Sequence, residues 1–172
     1  MAKAKASTAD QAEVARAINA LRRMVRGLRA AAEKVERDLK ISAAQLFVMS
    51  ELAQSPAQSV KDLAEVTMTT HSTVSEVVGQ LLAKGLVTRS VDPNDARRSV
   101  LRLTRQGTSL LRRSPRAIQQ DLIEGFGALR PSERRTLATG LERWLETSGL
   151  GSVPSAMLFE KGPQKGRSNT RK

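Results

Sequence analysis

Apolar residues near the N-terminus recur with the spacing of a long, packed helix. They follow one another at alternating steps of four and three residues: Val14, Ile18, Leu21, Val25, Leu28, Ala32, Val35 and Leu39. Such a heptad seam is typical of a helix that packs against other helices along its length. We predict a helix over residues 10–40, spanning ~39 Å at 1.5 Å per residue between the first and last of these positions. Packing within one chain accounts well for the second half of this seam and poorly for the first, so we expect the helix to dimerise.

Three short helical patterns follow. The first begins at Ser42 with a capping box, and the second begins at Ser59, whose hydroxyl group is a favourable N-cap. The third begins near Thr70 and ends at Gly85, where a left-handed helix cap belongs. Its apolar residues have helical spacing: Val74, Val77, Val78, Leu81 and Leu82. The second and third patterns, joined by four residues, predict a helix-turn-helix.

The start of the third short helix is polar on its outer side. If the valines face inward, the exposed residues are Thr70, His71, Ser72, Thr73 and Ser75. Short polar side chains at the positive end of a helix dipole can approach phosphates and base edges, as a recognition helix does. The alternative is a serine- and threonine-rich cap on an ordinary exposed helix. Glu76, on the next turn, either accepts a hydrogen bond from a cytosine amino group or is a solvated residue that discourages wrong sites.

A hairpin with basic residues follows this helix. Residues 86–90 and 99–103 alternate apolar and polar positions, which predicts two strands with one covered face. Between them, Asp92-Pro93-Asn94-Asp95 predicts a type I turn. Arg97 and Arg98 then lie at the tip or just after it, where Asp95 is placed to hold the Arg97 guanidinium group. An extended arginine suits the narrow, electronegative minor groove beside a helix docked in the major groove.

These segments resemble the MarR family of transcriptional regulators. The resemblance is carried by Asp92-Pro93-Asn94-Asp95-Ala96-Arg97, by Leu103-Thr104 with Gly107, and by Ser72-Thr73-Val74-Ser75 continuing to Leu82-Ala83-Lys84-Gly85-Leu86-Val87. It covers about residues 10–148. It implies a winged-helix homodimer that binds pseudo-palindromic DNA and is often released by a small-molecule ligand.

The region after the hairpin contains further amphipathic helices. Thr104 is a predicted N-cap, Pro115 predicts a kink or a break beginning at Ser114, and Pro131 suits the first position of a new helix. Their apolar faces exceed what the central unit can cover, so we expect burial between two copies. The predicted dimer interface comprises Val14, Ile18, Leu21, Ile118, Leu122, Leu137, Leu141 and Trp144.

Composition narrows the classes of function. Twenty-nine Lys and Arg residues against 17 Asp and Glu residues give the 172-residue chain a net charge of +12, which favours polyanionic partners. The chain has no cysteine and one histidine, so we expect no disulfide, no metal site and no cofactor. It lacks the sequence motifs of common hydrolases and nucleotide-binding enzymes, and we predict that it is not an enzyme. No apolar run reaches membrane-spanning length, so we expect a soluble, cytoplasmic protein.

The predicted fold class is mainly α with a small β-hairpin wing, that is, a winged helix-turn-helix core with dimerisation helices at both ends. We divide the chain into a leader (1–9), an N-terminal dimerisation helix (10–40), a winged-helix unit (41–104), C-terminal dimerisation helices (105–148) and a basic, disordered tail (149–172). We expect a homodimeric, sequence-specific regulator, a repressor with a small-molecule effector; the alternative is a nonspecific DNA-coating protein. The predicted DNA-binding residues are Thr70, His71, Ser72, Thr73, Ser75, Glu76, Lys84, Arg89, Asp95, Arg97 and Arg98.

Overall fold

A computed structural model describes residues 8–56, 58–92, 95–153 and 157–158, with the backbone alone for residues 95–98. Within these residues the chain forms seven α-helices and one two-stranded antiparallel sheet. In chain order they are α1 (Thr8–Leu39), α2 (Ala43–Gln54), α3 (Val60–Val66), α4 (His71–Ala83), β1 (Val87–Asp92), β2 (Asp95–Leu103), α5 (Arg105–Arg112), α6 (Ile118–Gly127) and α7 (Pro131–Thr147). The predicted fold class is confirmed.

The core surrounds α2, whose residues are apolar on nearly all sides. Phe47, Leu46, Met49 and Leu52 are fully buried and pack with the inward valines of α4. Burying each such side chain contributes about 1.5–3 kcal/mol relative to leaving it exposed. The predicted capping box at Ser42 is present, since its hydroxyl oxygen accepts from the Gln45 amide at 3.1 Å.

The turn between α3 and α4 uses a non-glycine residue in a left-handed conformation. Met68 has φ +53°, and its side chain is exposed. This conformation costs an L-residue about 1 kcal/mol. The neighbouring Thr67 hydroxyl is buried and donates to the Leu63 carbonyl at 2.6 Å. Its burial and its hydrogen bond help hold the turn. Helix α3 begins with the predicted Ser59 cap, whose hydroxyl oxygen accepts from the Asp62 amide at 3.2 Å, and the Asp62 carboxylate accepts from the Ser59 amide at 2.8 Å.

The hairpin is longer than the sequence predicts. We expected strands over residues 86–90 and 99–103, whereas β1 extends to Asp92 and β2 begins at Asp95. The pairing shifts between Val91 and Asp92: Val91 pairs with Ser99, but Asp92 pairs with Asp95. The backbone of residues 96–98 is therefore the extra length of β2 at this irregularity, and such bulges bend and twist a strand. Pro93 and Asn94, the centre of the predicted type I turn, lie outside the described residues.

The C-terminal helices break where the prolines predict. Helix α5 ends at Arg112 and α6 begins at Ile118, on either side of Pro115. Helix α7 begins with Pro131, and the Glu133 carboxylate accepts from the Arg130 amide at 2.9 Å. The Arg130 side chain, which also donates to Glu133, lowers the pKa of that carboxyl group.

A short C-terminal segment returns to the body of the protein. Met157 is 6% exposed and belongs to the hydrophobic core cluster. Gln119, buried on α6, donates from Nε2 to the Leu158 carbonyl at 3.0 Å. The predicted tail region 149–172 thus contains at least one docked point, and its remainder from residue 159 lies outside the described residues.

No helix in the described part of the chain is long and apolar enough to cross a membrane.

Candidate nucleic-acid interface

Helix α4 buries one side and presents its polar N-terminal end. Val74, Val77, Val78 and Leu81 are buried against the core, as the sequence predicts. Thr70, His71 and Ser72 are exposed, and Thr73, Ser75 and Glu76 are half-buried. The hydrophobic side thus fixes which side of α4 faces solvent.

Three hydroxyl groups cluster at this end. Thr70 is the N-cap: its Oγ1 accepts from the Thr73 amide at 3.3 Å and donates to the Thr73 hydroxyl at 3.0 Å. The Ser72 Oγ lies 3.0 Å from the same Thr70 oxygen. Thr70 therefore caps the helix. The exposed Ser72 and His71 are better placed to contact a molecule bound at the N-terminal end of α4.

We call the row of α4 residues opposite the buried valines its outermost line. It includes Gly79, which is not among the predicted DNA-binding residues. At 100° per residue, Ser72, Glu76, Gly79 and Ala83 lie within about 60° of one another, opposite the buried valines. Gly79 is exposed, and a Cβ atom built on it would meet nothing within 4 Å. The signal that reveals Gly79 is its phase relative to the buried positions, not its residue type.

The wing contributes basic residues from both strands. Arg89 is exposed on β1, opposite Leu101 of β2. The backbones of Asp95, Arg97 and Arg98 lie in β2 at and beside the irregular pairing, and their side chains lie outside the described part of the structure. The backbone therefore places both arginines just after the hairpin tip.

Lys84 makes a structural contact. Its Nζ donates to the Lys40 carbonyl at 2.5 Å, at the junction where Lys40 adopts φ +58° between α1 and α2. The sequence predicts Lys84 among the DNA-binding residues and gives no sign of this long-range contact.

The predicted dimer-interface residues lie on faces that one chain leaves largely open. Val14 is 61% exposed, Leu137 43% and Leu141 45%, and Leu21 and Trp144 are also exposed. Ile18, Ile118 and Leu122 are half-buried. No residue of α7 is buried, and of α1 only Val35 is, within the residues that the structure describes.

Comparison with known proteins shows which sequences this chain is similar to. A model described as the MarR family matches residues 41–99. A protein of Thauera aromatica, described as a transcriptional regulatory protein for the hcr operon, is 34% identical over 92 residues. This match covers 54% of the chain, and the chain spans only 55% of that relative.

Solved structures extend the similarity. BldR of Sulfolobus solfataricus is 22% identical with a TM-score of 0.52, covering 83% of this chain and 99% of that one. MepR of S. aureus, in a complex with DNA, is 24% identical with a TM-score of 0.51, covering 74% and 94%. At these identities the likeness shows a shared fold. BpsR of Bordetella bronchiseptica, whose DNA binding is regulated by 6-hydroxynicotinic acid, is 30% identical with a TM-score of 0.51, covering 73% of this chain and 90% of that one.

The chain belongs to the MarR family. Proteins of the MarR family are transcriptional regulators, not enzymes. The described residues contain no group of three or more His, Cys, Asp or Glu side chains that could hold a metal ion.

One side of α1 adds a second chemical feature to this MarR-family chain. The aliphatic residues Ile18, Leu21 and Val25 lie there beside three arginines and one carboxylate: Arg22, Arg26, Arg29 and Glu33. Guanidinium groups beside aliphatic side chains suit a small anion with an apolar body.

Proposed function

We propose that this chain is a homodimeric, sequence-specific transcriptional regulator of the cytoplasm, acting as a repressor on pseudo-palindromic DNA. The observation that carries the proposal is the orientation of α4, which buries its valines and exposes a polar N-terminal end. Basic residues of the adjoining hairpin lie beside it in the chain, and the net charge of +12 favours a polyanion.

In this proposal α4 enters the major groove. Its first turn presents backbone N–H groups and the hydroxyl groups of Ser72, Thr73 and Ser75 to phosphates and base edges. Arg97 enters the neighbouring minor groove, and Arg89 and Arg98 contact phosphates. Thr70 acts mainly by capping the helix and ordering its two hydroxyl neighbours.

The dimer brings two such units to one side of the duplex. The open apolar faces of α1 and α7 are the surfaces that a second copy would cover, and isologous two-fold pairing is the commonest arrangement. Two recognition helices separated by about one DNA turn, ~34 Å, would then enter successive major grooves. Pseudo-palindromic half-sites follow from this symmetry.

We also propose release by a small anionic effector. Arg22, Arg26 and Arg29 of α1 support this proposal, as does the regulation of the relative BpsR by 6-hydroxynicotinic acid, an aromatic carboxylic acid. Because Ile18 and Leu21 beside these arginines belong to the proposed dimer interface, the effector would bind next to the second copy. A thermal-shift screen of aromatic carboxylates tests it: a stabilising compound that also weakens DNA binding supports an effector site.

A nonspecific DNA-coating protein is the second candidate, and the net charge of +12 favours it. Selection of bound DNA from a random pool separates the two. A regulator enriches a two-fold symmetric site and binds it ~10³-fold or more tightly than random DNA at physiological salt. A ratio near one would support the coating protein and contradict the regulator.

A further inference from the structure

The outermost line of α4 contains one charged side chain among small ones. Helix α4 is described throughout and contains neither lysine nor arginine; Glu76 is its single carboxylate. Its neighbours on this line are Ser72, Gly79 and Ala83, whose side chains extend at most to a hydroxyl group. Glu76 therefore reaches further than the other side chains of this line.

Glu76 has no partner among the residues that the structure describes. Its carboxylate forms neither a hydrogen bond nor an ion pair with them, although the residue is half-buried. The polar side chain on the next turn, Gln80, is instead bound to Gln45 by a hydrogen bond of 2.6 Å. Glu76 thus remains available to a group that lies outside the chain.

A carboxylate on this line can accept only some partners in DNA. An ionised carboxylate is an acceptor without a donor, and phosphates repel it. In the major groove, guanine presents two acceptors and thymine an acceptor with a methyl group, whereas cytosine presents the N4 amino donor. Adenine has an amino donor, but its N7 acceptor lies directly beside it. Cytosine is therefore the base edge that matches Glu76 best.

We propose that Glu76 is a specificity-determining residue that selects a cytosine in each half-site and rejects guanine and thymine at that position. The proposal rests on the proposed function, since it requires α4 in the major groove. The small side chains beside Glu76, and Gly79 in particular, allow the helix to lie close enough for this one long side chain to reach the base edge. The repulsion between the carboxylate and the phosphates also lowers affinity for DNA that offers no such donor.

The test is selection of bound DNA from a random pool with the wild-type chain, Glu76→Gln and Glu76→Ala. The wild-type protein should enrich cytosine at one position of each half-site. Glu76→Gln should shift that position towards adenine, because a glutamine amide matches adenine N6 and N7. Glu76→Ala should lose the preference there and keep the other positions unchanged. Replacing this cytosine by thymine should weaken binding by the wild-type protein by about 5- to 150-fold. The same base change should weaken binding by the Glu76→Ala variant by less than about 3-fold.

Glu142→Gln is the matched control, since it makes the same chemical change on α7 and should leave every base preference unchanged. If the wild-type protein and both Glu76 variants enrich the same site with equal base frequencies at all positions, the Glu76 proposal fails and the regulator stands. If no variant enriches any sequence, the regulator proposal itself fails, and the Glu76 proposal fails with it. If the wild-type protein and both Glu76 variants select the same site but bind it with different affinities, Glu76 is a repulsive charge without a base partner, and the proposal fails.

Discussion

The Cα atom of Gly107 lies directly against the carbonyl group of Leu86. A Cβ atom at position 107 would stand 2.1 Å from the Leu86 carbonyl oxygen, far inside van der Waals contact. The same carbonyl accepts from the Thr104 amide at 3.0 Å, and the Thr104 hydroxyl donates to the adjacent Gly85 carbonyl at 2.7 Å. The first turn of α5 is thereby fastened to the segment that leads from α4 into β1. This packing explains why glycine follows the Leu103-Thr104 pair at this distance.

We expect Gly107→Ala to lower the free energy of unfolding by ~2–4 kcal/mol, because the added methyl group must displace backbone. Urea denaturation of the purified chain measures this change. Gly125→Ala is the control: it lies in α6 with nothing within 4 Å of its Cβ position, and alanine there should stabilise by ~0.5–1 kcal/mol. Equal effects of the two substitutions would contradict the close contact.

We expect Arg97→Ala to weaken operator binding by ~1–3 kcal/mol while the protein stays folded. The reason is the loss of a guanidinium group from the minor groove beside the bound helix. Gel-shift titration at fixed salt gives the affinity, and Arg135→Ala provides the same change of charge on the side of α7 away from its apolar residues. Unchanged affinity for Arg97→Ala would rule out the wing contact.

We expect Leu141→Glu to dissociate the proposed dimer. It places a carboxylate in an apolar interface, at a cost of ~3 kcal/mol or more, which is roughly 150-fold in the dimer Kd. Sedimentation velocity measures the change, and Arg135→Glu tests a charge reversal on the opposite side of the same helix. If Leu141→Glu remains dimeric at micromolar concentration, the open face of α7 is not the interface.

We expect Met157→Ala to lower the free energy of unfolding by ~2 kcal/mol, the lower end for removing a buried methionine, because the segment can detach instead of leaving a cavity. Its neighbour Leu158 is 43% exposed, so Leu158→Ala should cost less than ~0.5 kcal/mol. Urea denaturation of both variants measures the difference. A Met157→Ala variant as stable as the wild-type chain would show that the segment does not dock.

The sequence predicted those features that depend on residues close together in the chain. The caps at Ser42, Ser59 and Thr104, the end of α4 at Gly85 and the break at Pro115 each arise from one or two neighbouring residues, and each is present. The buried side of α4 could also be predicted, because helical periodicity alone assigns its valines to the core.

Features that depend on contacts between residues far apart in the chain could not be predicted from the sequence. The hydrogen bond from Lys84 to the Lys40 carbonyl joins residues far apart in the sequence, and nothing in either segment indicates it. The left-handed Met68 has no residue-type signal, since glycine or asparagine usually takes that conformation. The strand bounds were wrong because the pairing irregularity at Val91 depends on cross-strand geometry, not on alternation within either strand.

Two side-chain hydrogen bonds connect the end of α4 to the corner between α1 and α2. Gln80 accepts from Gln45 at 2.6 Å, and Lys84 donates to the Lys40 carbonyl at 2.5 Å. Because α4 is hydrogen-bonded at this corner, we expect a tilt of α1 to move α4 with it. In the proposed dimer, a small molecule bound beside α1 would then change the distance between the two α4 helices.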